Sequence, residues 1–425
     1  MKEEQTHNPS LHCLIMGGGV IGSCIAHFLV KEHGWSVTLV DPCASHNGSP
    51  FEPPAASGRA GGFLAREWSD GQTTEQLTRL SFDLHKQFEQ LNGGFRKLSC
   101  CSAKAITRVS KKQRTSKKSS GTTRGGNNVT TMPSYCNRTD QLSPFTQSGT
   151  TSNCAQVTPE KFVRSLQEET MKFGTLNIIR GKVVDVVVTV SPSGDSSSSL
   201  LKHVCVEQEK GHLVNIAADS FVAAAGPWTN QIRSFPSSDA IFDRVPPVEG
   251  LKAHSIVVGG EEAKQANPVA LFVSVQEESS SSTSSSSSSS QYKEYEYYPR
   301  PDGTLYVCGE GEEDSSIVTE SPGRVSINSD AIKSMKSESS SKISTMFEKP
   351  GNILRESACH LPIVISATGT PLICEVAHGS HCYIATGHSC WGILQGPGTG
   401  KALAELIANG KCECLDLSAF QLPSD

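Results

Sequence analysis

The stretch LIMGGGVIGSCIA, Leu14–Ala26, decides the fold of this chain. A short apolar run meets three consecutive glycines, and a pattern typical of a helix rich in small residues follows. The spacing is G-x-G-x-x-G between a strand and a helix. The first glycine permits a tight turn, the second lets a pyrophosphate approach the backbone, and the third allows the helix to lie close to the strand. We therefore expect a nucleotide-binding turn formed by Gly17, Gly19, Val20, Ile21 and Gly22.

An acidic residue closes the next apolar run. WSVTLVD ends in Asp41, about twenty residues beyond the glycine turn. A carboxylate there accepts hydrogen bonds from the ribose hydroxyls of an adenosine half and disfavours a 2'-phosphate. A glycine-rich turn can also serve close packing alone, but strand, helix and acid together favour a dinucleotide. FAD and NAD both remain open at this point.

Composition narrows the class of protein. With 425 residues the chain can bury a large core, and we expect two domains whose segments need not be contiguous. The formal net charge of -5 indicates no nucleic-acid partner, and we interpret the basic run Ser110–Ser120 as a solvated loop. No apolar run reaches membrane-spanning length, and the polar start leaves no room for a signal peptide. A cytoplasmic location is expected.

The cysteines predict no metal centre. The 15 cysteines are scattered, and no pair of C-x-x-C elements is present. The CEC triplet, Cys412 to Cys414, has a poor spacing for metal ligands. Reduced thiols are the expectation for a cytoplasmic chain.

Three polar segments interrupt the globular pattern, at about 104–152, 191–199 and 279–290. Each has the composition of a loop that cannot bury itself. PVALFVSV and YKEYEYYPRPDGTLYVCGE flank the serine tract and are typical of strands. They predict a hairpin with an expanded loop.

The remaining elements alternate in an informative order. Apolar spacing predicts helices over Thr73–Leu91 and over TPEKFVRSLQEETMKFG, which has Thr158 as cap and Pro159 at its first position. TLNIIRGKVVDVVVTV and LKHVCVEQEKGHLVNIAADSFVAAAG predict successive strands. Helix and strand material near both termini brackets a strand-rich middle. This order indicates a nucleotide domain built from separated segments, with a mainly antiparallel sheet domain inserted.

Two small-residue segments indicate further contacts with a nucleotide. AASGRAGGFLA, Ala55–Ala65, would let the backbone run against a flat ligand, although a glycine-rich surface loop is the alternative. FVAAAGPWT, Phe221–Thr229, fits a strand end that touches the nucleotide, and a plain strand end before a proline-initiated helix is its alternative.

The segment CYIATGHSCWGILQGPGTGKALAELIANG helps to decide between FAD and NAD as the cofactor. A strand, Cys382–Thr386, meets a glycine-rich loop, and a helix is predicted from about Thr399. A helix N-terminus can stabilise negative charge on a reduced flavin, whereas nicotinamide has no such need.

In order along the chain, these motifs resemble those of the D-amino-acid-oxidase-like FAD-dependent oxidoreductases, which include glycine oxidase and sarcosine oxidase. The resemblance covers most of the chain outside the polar insertions and is strongest to a fungal and plant subgroup without a settled substrate. It implies an α/β fold, with a Rossmann-type FAD-binding domain interleaved with a mainly antiparallel β-sheet substrate domain. The expected FAD-binding segments are 11–91, 155–230 and 355–425, and the expected substrate segments are 92–154 and 231–354.

The resemblance also implies residue roles. The glycine turn would hold the pyrophosphate and Asp41 the adenosine ribose, while Val183 would place its backbone against the adenine. Arg59 to Gly62 would line the isoalloxazine. The complete set of further expected FAD contacts is Ser57, Gly58, Arg59, Ala60, Gly61, Gly62, Val183, Ala225, Gly226, Trp228, Cys359, Gly387, Gly392 and Thr399.

For catalysis, the resemblance implies oxidation of a C–N bond by hydride transfer to flavin. Arg355 stands where glycine oxidase-like sequences have a carboxylate-binding arginine, and a strand-edge arginine is the alternative. A second arginine of those sequences is replaced here by Cys390. The chain therefore departs from the residue pattern that goes with amino-acid specificity in those sequences. His388 could hydrogen-bond the flavin or take a proton from a bound amine, or only satisfy backbone groups.

Covalent flavin is a separate question. Cys359 lies near the position where sarcosine oxidase-like members attach flavin through a thioether. The following HLPIVISATGTP differs from the usual sequence, so an ordinary buried cysteine is favoured.

The function expected from the sequence is an FAD-dependent oxidoreductase acting on a small amine or amino-acid-like molecule. A flavin-binding protein with a trafficking or regulatory role and little turnover is the alternative. An NAD-dependent dehydrogenase would require the C-terminal glycines to be accidental. The oligomeric state stays open.

Overall fold

The computed structural model describes residues 11–106, 131–189, 200–237, 241–276, 292–312 and 315–423. Within these ranges the strands are β1 (His12–Met16), β2 (Ser36–Asp41), β3 (Phe63–Ala65), β4 (Arg96–Lys97), β5 (Ser99–Lys104), β6 (Thr146–Gly149), β7 (Cys154–Gln156), β8 (Leu176–Arg180), β9 (Lys182–Thr189), β10 (Leu200–Glu207), β11 (Leu213–Ile216), β12 (Ser220–Ala223), β13 (Val248–Val258), β14 (Val269–Gln276), β15 (Tyr292–Pro299), β16 (Leu305–Gly309), β17 (Ile353–Val364), β18 (Leu372–Glu375) and β19 (Cys382–Thr386). The α-helices are α1 (Val20–His33), α2 (Ala56–Arg59), α3 (Glu75–His85), α4 (Pro159–Met171), α5 (Glu261–Lys264), α6 (Ser329–Lys342) and α7 (Gly392–Asn409). Among the 3-10 helices are Lys86–Phe88, Gly226–Ser234 and Ser389–Trp391.

A six-stranded sheet carries the glycine turn. Its order is β18-β19-β12-β1-β2-β8, and all pairs are parallel except β18 with β19. Strand β1 lies in the middle, with Leu14 opposite Thr38 of β2 and Phe221 of β12. Its apolar run is buried because both faces of a parallel sheet are covered.

A second, seven-stranded sheet has the order β17-β13-β16-β15-β14-β5-β6. Its pairs are antiparallel except β5 with β14. Strands β14 and β15 pair in register from Leu271 opposite Tyr297 to Gln276 opposite Tyr292, which confirms the hairpin predicted around the serine tract. The tract itself lies outside the described residues.

The two sheets take their strands alternately along the chain. The parallel sheet uses 12–41, 176–180, 220–223 and 372–386, and the other uses 99–149, 248–309 and 353–364. The predicted fold class, a nucleotide-binding α/β part interleaved with a mainly antiparallel part, is confirmed. The five domain boundaries remain a prediction.

The predicted start of the last helix is wrong. Helix α7 begins at Gly392, seven residues before Thr399, and includes Pro397. Proline removes an N–H from the helix and normally ends it. Here the freed carbonyl of Ile393 lies 2.9 Å from His85 Nε2, so α3 supplies the missing donor.

The polar segment 104–152 also differs from its interpretation as an unburied loop. Within its described part, Tyr135 is 1% exposed, and its hydroxyl donates to the carbonyl of Val269 at 2.9 Å. Strand β6 adds an edge to the seven-stranded sheet. The mostly polar composition of the segment did not indicate these buried contacts.

The other helix predictions agree with the structure. The segment 73–91 contains α3 and the 3-10 helix Lys86–Phe88, and α4 starts at Pro159 after the N-cap Thr158. Among the described helices, none is long and apolar enough to cross a membrane.

Candidate functional site

A cavity of about 780 Å³ opens at the carboxyl ends of the central strands. Met16, Asp41 and Thr386, the last residues of β1, β2 and β19, border it together with Ala224, which directly follows β12. Ligands of open α/β sheets bind at this edge, where successive helices leave opposite faces. The cavity is therefore the candidate binding site.

The glycine turn forms part of the cavity wall and leaves no room for a side chain at Gly17 or Gly22. Gly17 has a φ of 108°, and a Cβ there would overlap the carbonyl of Ala224. A Cβ on Gly22 would overlap the carbonyl of Gly17, so α1 lies against the turn. These contacts are the steric roles expected for the first and third glycines.

Ser57 sits at the N-terminus of α1. Its Oγ accepts the N–H of Val20 at 3.0 Å, and a Cβ on Gly19 would lie 3.0 Å from the same oxygen. The first turn of a helix offers unpaired N–H groups and a partial positive charge. The backbone and Ser57 together make this corner suited to an anion such as a pyrophosphate.

Asp41 holds the turn from the next strand. Its Oδ2 accepts the N–H of Gly18 at 2.9 Å, and its Oδ1 accepts the N–H of Cys43 at 2.8 Å. Burial raises the pKa of Asp41, while these two hydrogen bonds and Arg180 oppose the increase. The carboxylate borders the cavity, where it can accept from ribose hydroxyls.

Helix α7 points its N-terminus toward the cavity, which Gly392 and Ile393 border. His388 also borders it and is buried, with Nε2 2.9 Å from Thr399 Oγ1. Burial lowers the pKa of His388 to about 3, so the imidazole is neutral near pH 7. It can form hydrogen bonds there, but it does not carry a positive charge.

The comparison with protein families settles the class. The family model described as FAD dependent oxidoreductase matches residues 12–406. The chain belongs to this family of FAD-dependent oxidoreductases. This decides the choice between FAD and NAD, left open by the glycine turn, in favour of FAD.

Relatives agree over nearly the full length. A provisionally named oxidoreductase of Schizosaccharomyces pombe is 29% identical over 415 residues, covering 94% of this chain and 95% of the relative. Glycine oxidase from Bacillus cereus has the same fold, with a TM-score of 0.64 and 17% identity over 94% of this chain and 98% of the oxidase. Iminodiacetate oxidase from Chelativorans sp. BNC1 has a TM-score of 0.64 and 15% identity over 96% and 98%.

The residues of the cavity fit FAD. The side-chain-free glycine corner with Ser57 suits the pyrophosphate, Asp41 suits the ribose, and the α7 N-terminus suits a flavin ring that gains negative charge. Of the residues expected from the sequence to contact FAD or act in catalysis, those that border the cavity are Gly17, Gly19, Val20, Ile21, Asp41, Ser57, Ala60, Val183, Ala225, Gly226, Trp228, His388 and Gly392.

The other expected site residues do not border the cavity: Gly22, Gly58, Arg59, Gly61, Gly62, Arg355, Cys359, Gly387 and Thr399. Several of the glycines let protein groups approach each other. A Cβ on Gly62 would overlap the carbonyl of Val157, and one on Gly61 would lie 2.5 Å from the Tyr298 ring. The sequence predicts that a flat ligand approaches these positions, whereas the groups that approach them in the structure are the carbonyl of Val157 and the ring of Tyr298.

Arg355 belongs to a cluster of three arginines, two of which contact one carboxylate, while Nε of the third, Arg59, donates to the carbonyl of Pro54. Glu160 Oε1 accepts from Arg300 Nη1 and from Arg355 Nη2, both at 3.3 Å. Arg300 Nη2 also donates to the carbonyl of Ala60 at 3.1 Å. Burial lowers the pKa of Arg59, and the positive charge of Arg355 lowers it further. The cluster thus carries an excess of positive charge directly behind a cavity residue.

Cys359 lies on β17 as a buried thiol. Burial raises its pKa to about 12, and Arg59 opposes the increase. Because the thiolate is the reactive form, this environment does not activate Cys359.

The sequence missed one wall of the cavity. Residues 319–324, between β16 and α6, cross from the second sheet and border the cavity beside Trp228. The indole Nε1 donates to the carbonyl of Glu320 at 2.7 Å, and a Cβ on Gly323 would lie 3.3 Å from Cys43 Sγ. Pro322-Gly323 signals a turn, but no local pattern shows which distant segment that turn meets.

Proposed function

We propose that this enzyme oxidises the C–N bond of a small amine that carries a carboxylate, such as an amino acid or an N-alkyl amino acid. The observation that carries the proposal is the arginine cluster. Arg300 and Arg355 share the single carboxylate of Glu160, and Arg59 lies close enough for the charges of Glu160 and Arg355 to affect its pKa.

Charge balance supports an anionic ligand beside this cluster. A buried cation is costly unless it is paired, and guanidinium groups bind carboxylates in a bidentate geometry. The Nε atoms of Arg300 and Arg355 are buried without a hydrogen-bond partner within the described residues. The side chain of Arg300 is 2% exposed, whereas that of Arg355 is 31% exposed, so a ligand can reach Arg355. A substrate carboxylate would complete the pairing.

When bound, the flavin supplies the hydride acceptor for such an oxidation. The residues of the chain then position and shield the substrate. The arginine cluster would fix the carboxylate, and neutral His388 would form hydrogen bonds at the cavity wall. A neutral imidazole next to Thr399 adds no positive charge that would repel a protonated amine.

Anaerobic reduction of the flavin by matched pairs of compounds tests the proposal. We expect glycine, N-methylglycine or D-alanine to bleach the visible flavin bands, and the amines lacking the carboxylate, methylamine, dimethylamine and ethylamine, to fail. Equal bleaching by both members of a pair would exclude carboxylate recognition. If no amine bleaches a flavin that dithionite reduces fully, the alternative of a flavin-binding protein with little turnover replaces this one.

A further inference from the structure

The end of α7 brings together three side chains that play no part in the cavity. Gly410, with a φ of 71°, ends the helix, and the chain turns back along its last turns. Glu405, on the helix, binds the returning segment: Glu405 Oε2 accepts the N–H groups of Glu413 at 2.8 Å and Cys414 at 2.9 Å. Both thiols of the CEC triplet are thereby brought beside the Glu405 carboxylate.

The distances match a metal site. Cys412 Sγ lies 3.7 Å from Cys414 Sγ and 3.7 Å from Glu405 Oε2, and the three ligand atoms lie within 4.8 Å of one another. A tetrahedral Zn²⁺ with Zn–S bonds of about 2.3 Å and a Zn–O bond of about 2.0 Å places its sulfurs about 3.8 Å apart and each sulfur about 3.5 Å from the oxygen. We propose that Glu405, Cys412 and Cys414 bind a zinc ion.

The protein positions these ligands before the metal arrives. The N–H groups of Glu413 and Cys414 and the ammonium of Lys401 hold the Glu405 carboxylate in this position. Metal binding requires both thiols in the thiolate form, so zinc displaces their protons when it binds.

The ligand types select the ion. Two thiolates favour zinc or cuprous copper, and the carboxylate oxygen favours the divalent ion. With two thiolates and one carboxylate, Zn²⁺ leaves one negative charge, which Lys401 offsets from 3.2 Å at the other carboxylate oxygen. The three ligands leave a fourth position for water.

The site would fasten the C-terminal segment to the core. Lys401 also pairs with Glu32 of α1 at 2.6 Å, so Glu405 is connected to the helix that carries the glycine turn. The spacing of the triplet alone does not predict a metal site. The third ligand, Glu405, lies seven residues earlier on the helix and forms no C-x-x-C pair with the cysteines.

Metal content of the full-length FAD-loaded protein tests this inference. The protein is reduced with a phosphine, incubated with Zn²⁺ and passed into metal-free buffer. We expect about one zinc per chain to remain. The double variant Cys412→Ser/Cys414→Ser should retain less than about a tenth of this, and Glu405→Gln should weaken binding by about tenfold or more. Cys205→Ser, at a half-buried thiol on β10, should retain it fully.

A second measurement uses only the wild-type chain. Zn²⁺ should slow the alkylation of Cys412 and Cys414, mapped by mass spectrometry, by about tenfold or more and leave that of Cys205 unchanged. If the wild-type protein retains no more zinc than the double serine variant, or if Zn²⁺ protects neither thiol, the proposed site does not exist. Because neither measurement uses substrate, both are independent of the proposed reaction.

Discussion

His85 Nε2 lies 2.9 Å from the carbonyl oxygen of Ile393, the group that Pro397 leaves without its helical partner. Ser81, one turn earlier on α3, donates from its Oγ to the carbonyl of Gln395 at 3.0 Å and accepts the N–H of Gly398 at 2.8 Å. Helix α3 therefore repairs the first turns of α7. This allows the N-terminus of α7 to reach the cavity despite the internal proline.

Replacing His85 with leucine should destabilise the protein. The buried carbonyl of Ile393 would lose its donor, which costs about 1–3 kcal/mol. We expect a lower free energy of unfolding in urea and a weaker retention of FAD. His378→Leu, at an exposed histidine, serves as control. Equal stability of the His85 variant and the wild type would show that the first turns of α7 do not need this hydrogen bond.

Three buried histidines make stability depend on pH. Burial lowers the pKa from 6.5 to about 4 for His27 and His85 and to about 3 for His388. Below pH 6.5 these histidines therefore bind protons in the unfolded chain but stay neutral in the folded chain. Stability falls as the pH decreases from about 6.5 to about 4, by up to about 1.4 kcal/mol per pH unit for each histidine.

Thermal unfolding at pH 7, 6 and 5 measures this effect. We expect the midpoint to fall toward pH 5, with a smaller decrease in the double variant His85→Leu/His388→Asn. A midpoint that is constant over this range would contradict the buried neutral state of these histidines. The rate of flavin reduction should depend on pH in the same way in the wild type and in His388→Asn, because His388 stays neutral over this range.

Local signals made much of the fold predictable. The turn between β1 and α1 depends on glycines within six residues, and strand β19 was predicted with its observed bounds, Cys382–Thr386. Alternation of elements along the chain was enough to indicate interleaved sheets. These features are decided by steric and apolar patterns that each segment carries itself.

The remainder depends on distant partners. Pro397 fits within α7 because His85, 308 residues before Ile393, donates to the freed carbonyl. Residues 319–324 meet the cavity through a contact with Trp228, and Glu405 joins two cysteines beyond the end of its helix. No local pattern encodes such pairings, so the sequence predicts the glycine turn between β1 and α1 but not the distant segments that pack around the cavity.

Helices α1 and α7 pack through a small residue that we expect to tolerate no enlargement. A Cβ on Gly400 would lie 2.6 Å from the carbonyl carbon and the Cβ of Cys24. Gly400→Ala should therefore lower the free energy of unfolding by about 1–3 kcal/mol. Gly311→Ala, where the nearest atom would be 3.8 Å away, is the matched control. The prediction fails if both variants unfold at the same urea concentration.

Arg355→Lys tests the role of the arginine cluster in substrate binding. Lysine keeps the charge but cannot form the bidentate pair with a carboxylate. For a carboxylate-bearing substrate we expect KM to rise about tenfold or more, with a smaller change in kcat. Arg164→Lys, at an exposed arginine on α4, should leave both constants unchanged. An unaltered KM in Arg355→Lys would show that this arginine does not bind substrate and serves only the ion pair with Glu160.

The central claim is that the cavity at the strand ends holds FAD without a covalent bond. The visible absorption spectrum of the purified protein, repeated on supernatant and pellet after acid precipitation, tests it most directly. We predict two flavin bands and release of the yellow colour to the supernatant, in the wild type and in Cys359→Ala alike. A protein that stays colourless even after incubation with added FAD would contradict the claim, and colour retained in the pellet would contradict its non-covalent part.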